Sequence, residues 1–258
     1  MGHWAKKIIV RWSETQSIDL AKQLVAGIRY FDMRPGYLRD RDDFYVVHGL
    51  YGHPINSLLL DLHTFLKAHP KEVVILDFNH FYNFTDDLHG RMVEMIQRYF
   101  DNMLICPQRL GPNASLKDIW ECRKQVVIIY NNNSVVNEFP MFWSKSYLYS
   151  PWANTNKTEE LLYSLIERFD TIKPDALNVF QAILSPQPSE MPRHFKSSLK
   201  NYLCIKCNSA TCAWLENVYK DKRGGVNIVI FDFIDIDNCV KLTIKLNLLL
   251  KNERSRDL

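Results

Sequence analysis

Two stretches of this 258-residue chain decide its fold: Gly27-Ile-Arg-Tyr-Phe-Asp-Met-Arg34 and, further along, Tyr45-Val-Val-His48-Gly49. Each is a short apolar run, typical of a buried strand, that ends in polar side chains. Arg34 supplies a permanent positive charge, and His48 supplies a titratable imidazole. Ionisable groups at strand ends predict a site at one mouth of an α/β sheet or barrel.

Other apolar runs extend this pattern along the chain. They are short, β-branched and nearly continuous, which is typical of parallel strands covered on both faces. The predicted strands span residues 28–33, 44–47, 73–78, 126–130, 177–184 and 226–233.

Helical patterns lie between the predicted strands. They span residues 18–26, 57–68, 86–100, 115–122, 157–169, 195–218 (with an interruption) and 238–250. The alternation predicts βα repeats, arranged as a barrel or as an open doubly wound sheet. No break in composition divides the chain, and its length suits one barrel, so we expect a single domain over residues 1–258.

Composition narrows the class of protein. The chain is 47% hydrophobic and 24% charged, as globular proteins usually are. Its net charge of +3 is too small to argue for nucleic acid, although a mildly basic surface is compatible with anionic lipid. No apolar run approaches membrane-spanning length, and the first residues lack the apolar core of a signal peptide. The sequence therefore predicts a soluble, cytoplasmic protein without a transmembrane segment.

The six cysteines raise the question of a metal site. Cys204-x-x-Cys207 with Cys212 hints at zinc, but a fourth ligand at the usual spacing is missing. We therefore expect reduced thiols and no zinc.

Arg34 and His48 each allow a functional and a structural interpretation. The Arg34 guanidinium can hold a phosphate through paired hydrogen bonds, or it can form a salt bridge with Asp32, and taken alone the salt bridge is favoured. His48 is a candidate general acid, the usual role of an imidazole at neutral pH, or it is a core or rim histidine bonded to backbone. Asp32 orients the imidazole, holds a substrate hydroxyl or caps the turn.

Two further strands end in polar residues. Asp77, Asn79 and His80 lie at the end of the third predicted strand, where side chains alternate in direction, so at most two of them can face one site. We expect Asp77 to satisfy backbone amides and Asn79 to contact a ligand. On the last predicted strand, Asp232 is the better candidate for a side chain that faces the site.

Taken in order from about Trp12 to Leu250, five stretches resemble the phosphatidylinositol-specific phospholipase C X-domain-containing proteins. They are Gly27-Ile-Arg-Tyr-Phe-Asp-Met-Arg34, Val46-Val-His48-Gly49, Glu72-Val-Val-Ile-Leu-Asp-Phe-Asn-His80, Pro151-Trp-Ala-Asn-Thr155 and Asn227-Ile-Val-Ile-Phe-Asp-Phe233. The resemblance implies a distorted TIM-type (β/α) barrel. It also implies a phosphoric diester hydrolase that cleaves phosphatidylinositol to diacylglycerol and inositol phosphate. The expected partners are this lipid and a peripheral membrane surface, and nucleic acid is not expected.

The resemblance also implies roles for single residues. His48 is similar to the histidine that acts as general acid, Arg34 to the arginine that stabilises charge on the phosphoryl oxygens, and Asp232 to the aspartate that assists the general base. Asp32 and Asn79 fall at substrate-binding positions. Calcium-dependent relatives have carboxylates at the positions of Asp32, Arg34 and Asn79. A cation and an amide at two of these positions imply a mechanism without metal or other cofactor.

One family motif has no counterpart in the chain. A Ser-Ile-Pro-Gly-Ser-His-Asp type segment on the first barrel strand carries the general-base histidine of the family, and nothing similar occurs here. The resemblance therefore implies a shortened form that lacks the first strand and has weak activity or none. The alternative hypothesis is a non-catalytic protein that binds phosphoinositides or another partner.

Overall fold

The computed structural model describes residues 3–220 and 226–254. Contacts within the chain separate two compact units. The first, here called the 20–149 unit, comprises Leu20–Tyr149 and Pro174–Leu177. The second, here called the 150–258 unit, comprises the described parts of Met1–Asp19, Ser150–Lys173 and Asn178–Leu258. The expectation of a single domain over residues 1–258 stays a prediction.

Helices and short strands alternate along both units. The described α-helices are α1 (His3–Ser13), α2 (Leu20–Ala26), α3 (Ile55–Ala68), α4 (Asp86–Leu104), α5 (Leu116–Glu121), α6 (Asn133–Glu138), α7 (Thr158–Asp170), α8 (Glu190–Arg193), α9 (Ile205–Lys220) and α10 (Cys239–Arg254). The described strands are β1 (Tyr30–Met33), β2 (Pro35–Leu38), β3 (Asp43–His48), β4 (Leu50–Pro54), β5 (Val74–Phe78), β6 (Val126–Tyr130), β7 (Trp143–Ser144), β8 (Leu148–Tyr149), β9 (Leu177–Ala182) and β10 (Ile228–Phe231). None of the described helices is long and apolar enough to cross a membrane.

A parallel sheet of four strands, in the order β1-β5-β6-β7, organises the 20–149 unit. All five residues of β6 are buried, as its uninterrupted apolar sequence predicts. Helix α3 buries Ile55, Leu59, Leu62 and Leu66, whose spacing of three and four residues places them on one helix face. These side chains join the core cluster of the unit. The parallel arrangement brings the C-terminal ends of β1, β5 and β6 to one edge of the sheet.

A second sheet of the 20–149 unit is antiparallel, which corrects the prediction for residues 44–47. Strand β3 pairs antiparallel with both β2 and β4. The short connections on either side of β3 can join only antiparallel neighbours, because a parallel crossover needs a dozen or more residues. Gly36 lies in β2, where a Cβ atom would come within 2.5 Å of Val47 Cγ2. The absence of a side chain at Gly36 therefore lets β2 approach β3 closely.

The 150–258 unit contains a parallel pair, β9 and β10, in which Ile228 is in register with Val179. Helices α7 and α9 contribute Leu161, Leu165 and Leu215 to a separate core cluster. The predicted helical run 195–218 is interrupted, as expected. A π-helical segment, Lys200–Cys204, precedes α9.

The expectation that all cysteines are reduced is wrong for two of them. Cys212 and Cys239 form a disulfide between α9 and the start of α10. This bond removes Cys212 from the possible zinc ligands, while Cys204 and Cys207 are buried free thiols. Among the described residues, no group of three or more His, Cys, Asp or Glu side chains is arranged to hold a metal ion.

Candidate active site

The register between β1 and β5 brings two carboxylates side by side. Asp32 of β1 is directly opposite Asp77 of β5. Because alternate residues of a strand share a face, Tyr30 and Asp32 lie on the same face of β1. The sheet therefore gathers acidic and hydroxyl groups where its parallel strands end.

Arg34 follows β1 and forms a bidentate pair with Asp32. Its Nε atom donates to Asp32 Oδ1 and its Nη2 atom to Asp32 Oδ2, both at 2.9 Å. Both side chains are partly exposed, at 37% for Arg34 and 26% for Asp32. The salt bridge that the sequence allowed is thus confirmed. Two parallel hydrogen bonds fix the plane of the guanidinium, which orients it at a surface that a ligand can reach.

Asn79 connects the two carboxylates. Its Nδ2 atom donates to Asp32 Oδ1 at 2.8 Å and to Asp77 Oδ2 at 3.1 Å. The Asn131 side chain, just after β6, donates to the Asn79 carbonyl at 2.9 Å. The Asn79 side chain is therefore a structural bridge in this network, and its predicted contact with a ligand stays a prediction.

Asp77 is the buried member of the network, with 3% of its surface exposed. The Tyr30 hydroxyl donates to its Oδ2 atom at 2.7 Å, while Oδ1 has no hydrogen-bond partner among the described residues. Burial raises the Asp77 pKa to about 6, and the nearby charge of Asp32 adds to this effect. The expectation that Asp77 satisfies backbone amides is wrong, because its carboxylate bonds to a hydroxyl and a side-chain amide instead.

Tyr30 is the donor in that contact and stays protonated. Burial, together with the negative charge of Asp77, raises the pKa of Tyr30 far above its ordinary value. Sequence reasoning missed both Tyr30 and the role of Asp77. The only signal was the alternation of polar residues at the ends of two strands, and it gains meaning once the strand register is known.

His48 ends β3 in the antiparallel sheet, and its side chain is exposed. The preceding residue, Val47, donates its backbone N–H to the Arg34 carbonyl at 2.8 Å. The end of β3 is thereby anchored to the residue that carries the guanidinium. His48 is followed by Gly49, whose φ of +68° is readily adopted by glycine.

Asp232 belongs to the 150–258 unit and directly follows β10. The Asn208 side chain donates to the Asp232 carbonyl at 2.9 Å, and the Cys204 thiol lies 4.0 Å from Asp232 Oδ2. Burial raises the pKa of the Cys204 thiol, and the Asp232 charge raises it further. Asp232 thus has a fixed backbone and a neutral thiol beside its carboxylate. Its predicted role stays a prediction.

Several known proteins are similar to this chain over most of its length. It is 36% identical over 253 residues to PI-PLC X domain-containing protein 2 of Mus musculus, covering 96% of this chain and 73% of that protein. It is 35% identical over 252 residues to PI-PLC X domain-containing protein 3 of Homo sapiens, covering 95% and 77%. No protein-family model matches the chain.

Solved structures show the same architecture. A phosphatidylinositol-specific phospholipase C from Listeria monocytogenes has a TM-score of 0.73 at 20% identity, covering 94% of this chain and 86% of that one. A phosphatidylinositol-specific phospholipase C of S. aureus has a TM-score of 0.68 at 16% identity, covering 92% and 85%. The fold is therefore the α/β, distorted TIM-type barrel of these phospholipases C. With more than 30% identity to the curated relatives, the chain belongs to the PI-PLC X domain-containing proteins.

Proposed function

We propose that this chain is a phosphoric diester hydrolase of the phosphatidylinositol-specific phospholipase C type, acting at the cytoplasmic surface of a membrane. The reaction cleaves phosphatidylinositol to diacylglycerol and a cyclic inositol phosphate. The observation that supports this most is the Arg34–Asp32 pair at the end of β1, anchored to the strand that carries His48. The names of the curated relatives and of the solved structures point to the same class.

Arg34 is the proposed ligand of the phosphoryl oxygens. The inositol 2-hydroxyl attacks phosphorus, and negative charge builds on the non-bridging oxygens in the transition state. A guanidinium whose plane is already fixed by Asp32 stabilises that charge without reorganising. Asp32 is proposed to hold Arg34 and to contact an inositol hydroxyl, and Asn79 to support it.

His48 is the proposed general acid. As the phosphorus–oxygen bond to diacylglycerol breaks, the imidazolium donates its proton to the leaving oxygen. An exposed position at a strand end suits this task, because the leaving group is part of a lipid at a membrane surface. Histidine is effective in this role because its ordinary pKa lies near working pH.

The proposed chemistry needs no metal. Both carboxylate oxygens of Asp32 accept hydrogen bonds from the Arg34 guanidinium. A positive side chain bonded to this carboxylate supplies the charge that calcium would bring and repels a second cation.

The proton of the attacking hydroxyl needs a general base, with Asp232 as its proposed helper. The 258 residues contain no Gly-Ser-His segment. The test compares hydrolysis of phosphatidylinositol vesicles by this chain and by a version extended with that segment. We expect the extended version to be about 10²–10⁴-fold faster, which is the usual contribution of a general base.

Equal turnover by the two versions would contradict the assignment of the base to that segment. Vesicle binding by both versions without any turnover would favour the alternative function, a phosphoinositide-binding protein without catalysis.

A further inference from the structure

Asp77 is a buried carboxyl group of the network that the proposed reaction does not use. Its Oδ2 atom accepts hydrogen bonds from Tyr30 at 2.7 Å and from Asn79 at 3.1 Å. Its Oδ1 atom is buried without a partner among the described residues. Burying an ionised carboxylate with one unsatisfied oxygen costs free energy, and this cost favours protonation of Asp77.

The negative charge of Asp32 increases this tendency, and the positive charge of Lys145 opposes it. Arg34 donates hydrogen bonds to both oxygens of Asp32. The groups that act on Asp77 are Tyr30 and Asp32 of β1, Asn79 of its own strand and Lys145, which is exposed. The two aspartates and Arg34 together carry one net negative charge when both carboxylates are ionised, and no net charge when Asp77 is protonated.

We propose that Asp77 is a positioning residue that links anion binding at Arg34 to the uptake of a proton. In either charge state, the Asp77 carboxyl group accepts a hydrogen bond from the Asn79 amide and so holds this amide against Asp32. Asp32 in turn orients the Arg34 guanidinium. When Asp77 is protonated, one negative charge that opposes an anion at Arg34 is removed. The inference rests on the proposed function for its ligand, a phosphodiester monoanion.

Linkage gives the direction of the effect. An anion bound at Arg34 disfavours a charged Asp77, so binding promotes protonation, and protonation promotes binding to the same extent. Since the Asp77 pKa is about 6, affinity should increase as pH falls through this value. A single charge on Asp77 should change the affinity for an anion at Arg34 by roughly three- to tenfold in a medium of intermediate dielectric constant.

The first experiment uses the unliganded protein. Carbon-detected NMR of aspartate carboxyl groups, with Asp77→Asn to assign the signal, measures the titration of Asp77 directly. We expect the Asp77 carboxyl group to titrate with a midpoint of about pH 6. The chemical shift of Arg34 Nε–H should show the same transition in the wild type and lack it in Asp77→Asn. Tyr30→Phe should raise the midpoint, because the Tyr30 hydrogen bond stabilises the ionised carboxylate. An Asp77 carboxyl that stays ionised well below this pH would overturn the proposal.

The second experiment measures binding of glycerophosphoinositol, a soluble phosphodiester whose charge stays constant over the pH range. Calorimetry in buffers of different ionisation enthalpy counts the protons taken up per ligand. We expect proton uptake by the wild type and by Asp61→Asn, a control in α3, and none by Asp77→Asn. At neutral pH, Asp77→Asn should bind about three- to tenfold more tightly than the wild type, because its amide keeps an acceptor for Asn79 without the charge.

The outcomes separate the proton linkage at Asp77 from the proposed function. Binding with the same proton uptake in the wild type and in Asp77→Asn would overturn the linkage and leave the proposed function standing. Absence of binding at every pH would overturn both.

Discussion

Two aspartates at strand ends, Asp32 in β1 and Asp232 after β10, have different surroundings. At the end of β1, Asp32 accepts two hydrogen bonds from Arg34 and one from Asn79. At the end of β10, the described contacts hold the backbone of Asp232, while its carboxylate lies beside the Cys204 thiol, a weak donor. Asp32 is thus held by charged and amide donors, and the backbone of Asp232 is held by the Asn208 amide.

The bidentate Arg34–Asp32 pair gives the end of β1 a prearranged electrostatic site. The plane of the Arg34 guanidinium is set before any ligand binds, as transition-state stabilisation requires. Asp232 is proposed only as a helper, and in the proposed mechanism a helper acts through a general base. The 20–149 unit should therefore dominate the effects of substitution.

The largest expected effect is that of His48→Ala. Loss of the proposed general acid should lower hydrolysis of phosphatidylinositol vesicles by up to about 10⁴-fold. His53→Ala, at another exposed histidine in β4, is the matched control and should leave the rate nearly unchanged. Retained turnover in His48→Ala would remove His48 from the mechanism.

The second-largest expected effect is that of Arg34→Ala. It should lower turnover by about 10²–10³-fold, because a preorganised donor to the phosphoryl oxygens is lost. Arg34→Lys keeps the charge but not the bidentate geometry, so its rate should lie between those of the wild type and Arg34→Ala. Arg41→Ala, at an exposed arginine of the same unit, serves as control. A lysine variant as active as the wild type would show that the fixed plane of the guanidinium is unimportant.

Asp77→Asn should change stability in a pH-dependent way. The Asp77 pKa is about 6 in the folded chain, against an ordinary value of 3.8. Between these values the folded chain holds a proton that the unfolded chain has released, so its free energy of unfolding falls as pH rises. Relative to the wild type, Asp77→Asn should therefore gain about 2 kcal/mol between roughly pH 4.5 and 7.5. Urea unfolding at both pH values measures this gain, and a difference that is independent of pH would contradict it.

Asp232→Asn should have the smallest effect on turnover in this chain. Its proposed role depends on the general base, so without that base its loss should cost much less than the loss of Arg34. Vesicle hydrolysis by Asp232→Asn, with the exposed loop variant Asp237→Asn as control, measures the effect. A loss as large as that of Arg34→Ala would show that the two strand ends contribute equally.

The parallel strands were predictable because burial on both faces leaves a continuous apolar sequence. β6 has the predicted bounds, and β5 begins one residue later than predicted. The direction of β3 was not predictable in this way, because a four-residue apolar run is the same in parallel and antiparallel sheets. Its direction depends on pairing with β2 and β4, which the sequence analysis did not identify.

The candidate site was predictable only in part, for a similar reason. Arg34, Asp32 and Asn79 were found from strand ends and from the family resemblance, and the structure brings these three together. The bonds from Asn79 to Asp32 and from Tyr30 to Asp77 depend on the register of β1 against β5, which no local pattern contains. The Cys212–Cys239 disulfide likewise joins positions that are 27 residues apart and become neighbours only through folding.

Product analysis by ³¹P NMR is the most direct test of the claim that Arg34 and His48 form the phosphate-handling half of a metal-independent phospholipase C. Phosphatidylinositol vesicles are incubated with this chain and with the Gly-Ser-His-extended version, both in excess chelator. We expect a cyclic inositol phosphate that forms slowly with this chain, faster with the extended version and not with His48→Ala. Cleavage that requires added calcium, or that proceeds equally in His48→Ala, would contradict this claim.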